Sequence, residues 1–297
     1  MEIRRIGILG SGRLGRGIAE NAASIGYDVL LFSQGAGNNN APHSIELSLN
    51  KKLAKWALTE SEKRVILSRI DYTSDLKDLA NVDLVIEATI DHFYTKQELL
   101  RTADKLCPPD VIFILTSATL SVSDIARGLS RPDLLVGLHF IPPVPKINVV
   151  ELSHGHQTSE DTIRAVEKFV EKLGKKVIHV KESPGLVNPR ALITLINEGA
   201  YMVDEGVAGI EAVESILKES WSMEQGPFEM ADRMGLDTIL HWMEQLQEKF
   251  GDRYAPSPLI RRFVRTGRLG VKAKIGFFAY TQDGLIDKTW QEQGDQA

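Results

Sequence analysis

The chain has 297 residues, enough for two domains of ordinary size, with 43% hydrophobic and 25% charged residues, the mix of a soluble globular protein. Its net charge of −5 gives no reason to expect a nucleic-acid partner. No apolar run reaches the roughly eighteen residues of a membrane span, and the single cysteine, Cys107, rules out an internal disulfide.

The first apolar run, Ile6 to Leu9, ends in Gly10-Ser11-Gly12-Arg13-Leu14-Gly15. The spacing is G-x-G-x-x-G. It lies between a strand-like run and a helix-like segment, Leu14 to Ile25, and a second strand-like run follows at Gly26 to Phe32. In that context each glycine has a task. Gly10 turns the chain out of the strand. Gly12 lets backbone N–H groups approach a pyrophosphate. Gly15 lets the helix pack close to the sheet. The helix start, from Leu14, offers N–H groups and a positive dipole end to phosphates. The turn therefore reads as a dinucleotide site.

In an NAD site an Asp or Glu about twenty residues past the glycines binds the ribose hydroxyls. Here the second strand ends in Phe32-Ser33-Gln34. Ser33 can hydrogen-bond a ribose, but it does not repel a 2′-phosphate. No Arg or Lys stands beside it to attract one. NAD is the first expectation and NADP the alternative. Arg13 and Arg16 belong to the loop and early helix, facing pyrophosphate or solvent.

Gly35 to Pro42 reads as a loop and Ile45 to Ser68 as a charged helical region. Apolar strand-like runs follow at Val82–Ala88, Val111–Leu115, Leu134–Leu138, Val149–Leu152 and Lys176–Val180, with a helical pattern at Tyr94–Lys105. Such alternation predicts a parallel sheet covered on both faces. Ser183-Pro184-Gly185 marks a boundary. Beyond it the pattern is helical, at Ala191–Glu205, Ile210–Lys218, Pro227–Arg233, Asp237–Phe250 and Pro258–Thr266. The chain thus reads as an α/β domain over 1–183, a Rossmann-type doubly wound parallel sheet, followed by an all-α domain over 184–297. Arg261, Arg262, Arg265 and Arg268 form a basic cluster, a solvated helix face or a contact for a phosphorylated substrate carrier. Cys107, followed by two prolines, reads as structural. With no charged-then-apolar leader at the start and one unpaired thiol, the expected location is the cytoplasm. No metal site is expected.

Several ordered segments resemble the L-3-hydroxyacyl-CoA dehydrogenase family, including the bacterial 3-hydroxybutyryl-CoA dehydrogenases. They are the glycine turn, Asp83-Leu84-Val85-Ile86-Glu87-Ala88, Gly137-Leu138-His139-Phe140, Pro143-Val144-Pro145, Val150-Glu151-Leu152 and Ser183-Pro184-Gly185. Gly226-Pro227-Phe228-Glu229-Met230-Ala231-Asp232, Gly235-Leu236-Asp237-Thr238 and Gly267-Arg268-Leu269-Gly270 continue the likeness. The resemblance implies hydride exchange between a nicotinamide and the 3-carbon of a hydroxyacyl or ketoacyl thioester. It implies His139 as acid–base group and Glu151 as the carboxylate that orients it. An imidazole titrates close to neutral pH, so it can take the hydroxyl proton or return it. Glu151 also lies in an apolar run, where a buried carboxylate needs a partner. His154 and His156, in a polar loop, read as surface residues. The likeness further implies cofactor contacts at Glu87, Asp91, Lys96 and Lys272, and a homodimer built on the helical domain. Ala191–Val203 and Ile239–Leu246 offer apolar surface for that dimer.

Three positions depart from the family. Its Asn-Thr-Ser-Ser segment aligns with Thr116-Ser117-Ala118-Thr119, so the first Ser becomes Ala118. Ser117 and Thr119 remain as candidate substrate contacts, although with the backbone retained their hydroxyls point elsewhere. An Asn after His-Phe-Phe becomes Pro142, and the Asn of Val-Asn-Arg becomes Pro189, preceded by Asn188. A shift of one residue would return Asn188 to the site as a polarising donor. Three readings follow: a 3-hydroxyacyl-CoA dehydrogenase with compensating groups, a dehydrogenase of an acyl-carrier-protein thioester or free hydroxy acid, or a non-catalytic dinucleotide-binding relative. Retention of His139 and Glu151 argues against the last.

Overall fold

The structure is a computed structural model that describes residues 3–33 and 40–287. It divides into two compact units, Met1–Leu186 and Val187–Ala297.

The first unit is built on an eight-stranded sheet in the order β3-β2-β1-β4-β5-β6-β7-β8. The strands are β1 (Arg5–Leu9), β2 (Asp28–Phe32), β3 (Ile70–Thr73), β4 (Leu84–Glu87), β5 (Ile112–Leu115), β6 (Leu135–Phe140), β7 (Val149–Ser153) and β8 (Lys176–His179). Helices α1 (Arg13–Ser24), α2 (Ala41–Leu53), α3 (Glu60–Ser68), α4 (Phe93–Leu106), α5 (Val122–Ala126) and α6 (Glu160–Lys172) accompany them. Alternate side chains of a strand enter opposite layers. Ile112 and Ile114 join one buried cluster with Ile18, Val166 and Phe169, while Phe113 and Leu115 join another with Leu100 and Ile125. Both sheet faces are therefore covered, as the continuous apolar runs demand.

The strand order reverses direction between β1 and β4. Ligands of such sheets bind beyond the carboxyl ends of the strands at that point. The glycine turn leaves β1 there, and the segment Ala88–His92 leaves β4 beside it.

The ladder is parallel throughout except for β6 and β7, which are antiparallel. This departs from an all-parallel reading, and connection length is the reason. Only residues 141–148 join the two strands, too few for the dozen or more that a parallel crossover needs. Three further elements escape the reading of the sequence: β3, the five-residue α5 and α6. β3 is a short edge strand whose side chains are half exposed, so it lacks an apolar run. α6 does carry a signal: Ile163, Val166, Phe169 and Val170 are buried on one face, and the Ser159 hydroxyl caps it by accepting from Thr162 N. The helix after β2 starts at Ala41 rather than Ile45, with Pro42 in its first turn. Of the loop expected from Gly35, residues 35–39 lie outside the described residues.

The second unit comprises α7 (Asn188–Asp204), α8 (Ile210–Ser220), α9 (Pro227–Met234), α10 (Leu236–Phe250) and α11 (Pro258–Arg265) around a core that includes Ile196, Phe228, Met243 and Phe277. Its last described segment carries only isolated antiparallel bridges, such as Gly270 with Ile275. Asp232 anchors that segment by accepting from Phe277 N, Phe278 N and the Tyr280 hydroxyl at 2.9–3.0 Å. Burial pushes the Asp232 carboxyl up to about 6. A Cβ on Gly270 or Gly276 would fall within 2.1 Å of Asp232, so the close approach requires glycine at both.

Candidate active site

The glycine turn separates what the protein needs from what a ligand would need. Gly10 has φ +117°, and a Cβ there would lie 2.6 Å from the Ala88 carbonyl oxygen. A Cβ on Gly15 would lie 1.8 Å from the Gly10 carbonyl oxygen. The fold itself demands both glycines. Gly12 differs: its φ of −66° suits any residue, and a Cβ would meet nothing within 4 Å. Neither backbone nor packing requires glycine at this position, at the N-cap of α1. The open space at the positive end of a helix fits a pyrophosphate, so the residues present suit a dinucleotide.

Ser33 follows β2 with its N–H on the Thr73 carbonyl, and the Ser11 hydroxyl donates to Ser33 Oγ at 2.9 Å. The serine that replaces an acidic residue is thus tied to the glycine turn. Arg16 donates from Nη1 to the Ser11 carbonyl at 3.0 Å, and burial lowers its pKa. Arg13 and Arg16, Ser44 and Ser48, and Pro142–Pro145 line a cleft of about 200 Å³.

β6 and β7 bring His139 opposite Glu151, although twelve residues separate them in sequence. The imidazole Nδ1 lies 2.8 Å from Glu151 Oε2, and both side chains are buried. A carboxylate only accepts, so Nδ1 carries a proton, and in the neutral ring Nε2 keeps its lone pair. This arrangement can accept a proton at Nε2 while the carboxylate stabilises the imidazolium. His154 and His156 are exposed on the following loop.

Glu87 ends β4 and takes Lys96 of α4 as its partner, Nζ to Oε2 at 2.5 Å, with both side chains 0% exposed. Glu87 also accepts from the N–H and hydroxyl of Thr89. The pair folds the β4–α4 segment back on itself. Glu87 and Lys96, both expected as cofactor contacts, thus meet each other as a covered ion pair. Asp91, in the same segment, does not cap α4; that role falls to His92, whose side chain accepts from Thr95 N. Asp91 instead reaches the segment after β5. Its Oδ1 accepts from the Ser117 hydroxyl at 2.5 Å, and its Oδ2 accepts from the Thr119 hydroxyl at 3.1 Å and from Ala118 N at 3.3 Å. Ser117 and Thr119, the expected substrate contacts, are both tied to Asp91. Each hydroxyl has one proton, and both protons already go to Asp91. The reading of the sequence missed Asp91 as a brace between two loops, because nothing in local spacing pairs residues twenty-six apart.

The remaining candidates lie in the second unit. Asn188 is the first residue of α7, immediately before Pro189. Lys272 lies on the short turn Val271–Ala273 and pairs with Asp237 at 2.5 Å. The basic cluster has partners there too: Arg261 meets Glu244 at 2.7 Å, and Arg268 donates to the Gly276 carbonyl. Ile193, Ile196, Ile239 and Met243, expected to supply dimer surface, are fully buried in the unit's own core. Val207, Ile216 and Trp221 are instead 58–68% exposed. Burial pushes the Cys107 thiol up to about 11, which leaves it protonated and inert at neutral pH. Among the described residues no cluster of His, Cys, Asp or Glu could hold a metal ion, and no helix is long and apolar enough to cross a membrane.

Two family models cover the chain: the NAD-binding domain of 3-hydroxyacyl-CoA dehydrogenase matches residues 5–183, and the C-terminal domain of the same family matches residues 185–280. A probable 3-hydroxybutyryl-CoA dehydrogenase of Bacillus subtilis is 38% identical, with 95% of this chain and 99% of the relative aligned. A 3-hydroxybutyryl-CoA dehydrogenase of Clostridioides difficile is 35% identical over 94% of this chain and 100% of its own length. The crystal structure of (S)-3-hydroxybutyryl-CoA dehydrogenase from Ralstonia eutropha superposes with a TM-score of 0.84 at 36% identity, covering 95% of this chain and 100% of that one.

Proposed function

The chain belongs to the 3-hydroxyacyl-CoA dehydrogenase family, and from that premise we propose that it interconverts the 3-hydroxyl and 3-keto forms of an acyl-CoA with NAD. The observation that carries this reading is the His139–Glu151 pair, held in register by an antiparallel strand pair at one end of the sheet. Bound at the glycine turn, NAD supplies the hydride acceptor for oxidation, and NADH the hydride for reduction. Gly12 leaves room for the pyrophosphate, and the backbone from Leu14 onward presents the helix end to it. His139 takes the 3-hydroxyl proton at Nε2 during oxidation and returns it during reduction. Glu151 keeps the ring in the required tautomer. Oxidation therefore needs a neutral imidazole and fails on the acid side, whereas reduction needs the imidazolium. Glu87 and Lys96 shape the loop that carries Asp91, and Asp91 braces the segment of Ala118. Asn188 is proposed as a polarising donor for the carbonyl and Lys272 as a cofactor contact.

Ala118, Pro142 and Pro189 remove three side chains that the family resemblance would place near the substrate oxygen. Such donors are each worth about 3 kcal/mol in a transition state. The same departures support a thioester or hydroxy acid other than 3-hydroxybutyryl-CoA as the preferred substrate. The direct test is cofactor reduction by the purified protein against hydroxyacyl-CoA thioesters of graded length, an acyl-carrier-protein thioester and free hydroxy acids, with NAD and NADP in separate arms. Activity confined to free hydroxy acids overturns the thioester reading.

Ser33 sets the cofactor prediction. Ser33→Asp is expected to tighten NAD about tenfold, the scale of a charged hydrogen bond to the ribose, and to weaken NADP by repulsion. Titration of both cofactors against the variant checks it. An unchanged NAD/NADP affinity ratio removes Ser33 from the ribose site.

We also place the protein in the reducing cytoplasm, on the ground of its one unpaired thiol, and expect it to be a homodimer. Val207, Ile216 and Trp221 supply exposed apolar surface on the helical unit. Sedimentation at micromolar concentration should give twice the chain mass, and a monomer there refutes the dimer.

A further inference from the structure

Lys175 lies between α6 and β8 and is 5% exposed. Its Nζ donates to two main-chain carbonyls, Val144 at 2.6 Å and Ile147 at 2.7 Å. Neither acceptor is a carboxylate, and burial lowers the pKa of the amine. Burying a lysine this deeply is costly unless its donors are well used. Both acceptors lie on the 141–148 turn, the connection between His139 and Glu151.

That turn is weakly held by its own hydrogen bonds. Pro142, Pro143 and Pro145 have no N–H to give. Lys146 N and Ile147 N both converge on the Pro143 carbonyl. The β6–β7 ladder does not compensate, because only the Phe140–Val150 pair lies between the His139–Glu151 pair and the turn. The dyad therefore sits at the turn end of its hairpin, one pair from the connection. On its other side the turn presses on the dinucleotide-binding helix: a Cβ on Gly17 of α1 would lie 3.3 Å from Val144 Cβ. Lys175 is also fixed in place, since the next residue, Lys176, donates to the Asn148 carbonyl and pairs with Val149 in the ladder.

We propose that Lys175 is a positioning residue: its two hydrogen bonds clamp the 141–148 turn against α1 and so fix the His139–Glu151 pair relative to the glycine turn. The proposal rests on the dehydrogenase reading for its kinetic consequence, but not for its structural one. Loss of the clamp lets the turn pivot at the end of the ladder. A displacement of about 1 Å at a reacting group costs on the order of a hundredfold in rate.

The test compares the parent chain with Lys175→Met and Lys175→Gln. Methionine keeps length without a donor; glutamine keeps N–H donors on a shorter stem. Two readouts are taken on protein whose thermal unfolding is cooperative. The first is kcat, KM and the kcat–pH profile on the substrate found above. The second is the downfield proton resonance of His139 Nδ1–H, which needs no substrate. The expected result for Lys175→Met is a ten- to hundredfold fall in kcat, a displaced pH profile, NADH affinity within about threefold of the parent, and a broadened or lost Nδ1–H resonance. Lys175→Gln should recover part of each. Parental kcat, pH profile and resonance in a folded Lys175→Met overturn the proposal. So does failure of both variants to fold, which makes Lys175 a stability residue only. If the parent turns over no hydroxyacyl substrate, the functional reading fails alone, and the resonance still decides the clamp.

Discussion

Replacing His139 with alanine should lower turnover by about two to four orders of magnitude, the usual contribution of a positioned acid–base group. The imidazole is buried, and its Nδ1 is held 2.8 Å from Glu151. Nε2 is thereby left as the proton carrier for the 3-hydroxyl. His154 and His156, the histidines nearest in sequence, are on an exposed loop beyond β7. Dinucleotide affinity should stay close to parental, since the glycine turn lies on β1 and α1. Glu151→Gln should cause a comparable loss in kcat by a different route. An amide can present its NH₂ to Nδ1 and stabilise the wrong tautomer, and it cannot stabilise imidazolium. The two variants are separable by pH. For Glu151→Gln the rate–pH profile should move, because the carboxylate no longer favours the charged ring. Parental turnover in His139→Ala would send the proton elsewhere and refute the mechanism.

Gly12→Val should abolish dinucleotide binding while the chain stays folded. The geometry makes both halves of that expectation specific. Gly12 occupies a backbone conformation open to any residue, and its missing Cβ faces empty space. The protein therefore tolerates the side chain, but a pyrophosphate drawn to the helix end does not. The same change at Gly15 should instead damage the fold, because its Cβ would collide with the Gly10 carbonyl 1.8 Å away. Calorimetric titration with NAD, alongside thermal unfolding, reads both effects. A folded Gly12→Val that binds NAD at parental affinity removes the site from this turn.

Much of this protein is written locally. The glycine spacing, the apolar runs of β1, β2, β4 and β5 and the helical periodicities of the second unit are short-range signals. Each reflects a backbone or burial requirement met within a few residues. The resemblance then supplied His139 and Glu151 by their surrounding motifs. β3 is illegible in the sequence because an edge strand buries too little to need an apolar run, whereas α6 carries a helical apolar face.

What the sequence could not decide is which partners long-range packing assigns. Glu87 and Lys96 lie nine residues apart on different elements, and the fold closes them on each other as a buried ion pair. Ser117 and Thr119 look like free hydroxyls in sequence, yet Asp91 from a neighbouring loop takes both protons. The antiparallel turn of β7 is the largest such decision. A connection too short for a crossover reverses the chain, and only that reversal sets Glu151 beside His139. Residue types and local periodicity follow from the sequence alone. Hydrogen-bond pairing between residues far apart in the chain follows from the sheet, because each donor proton and each buried charge can be satisfied only by what the tertiary structure brings within reach.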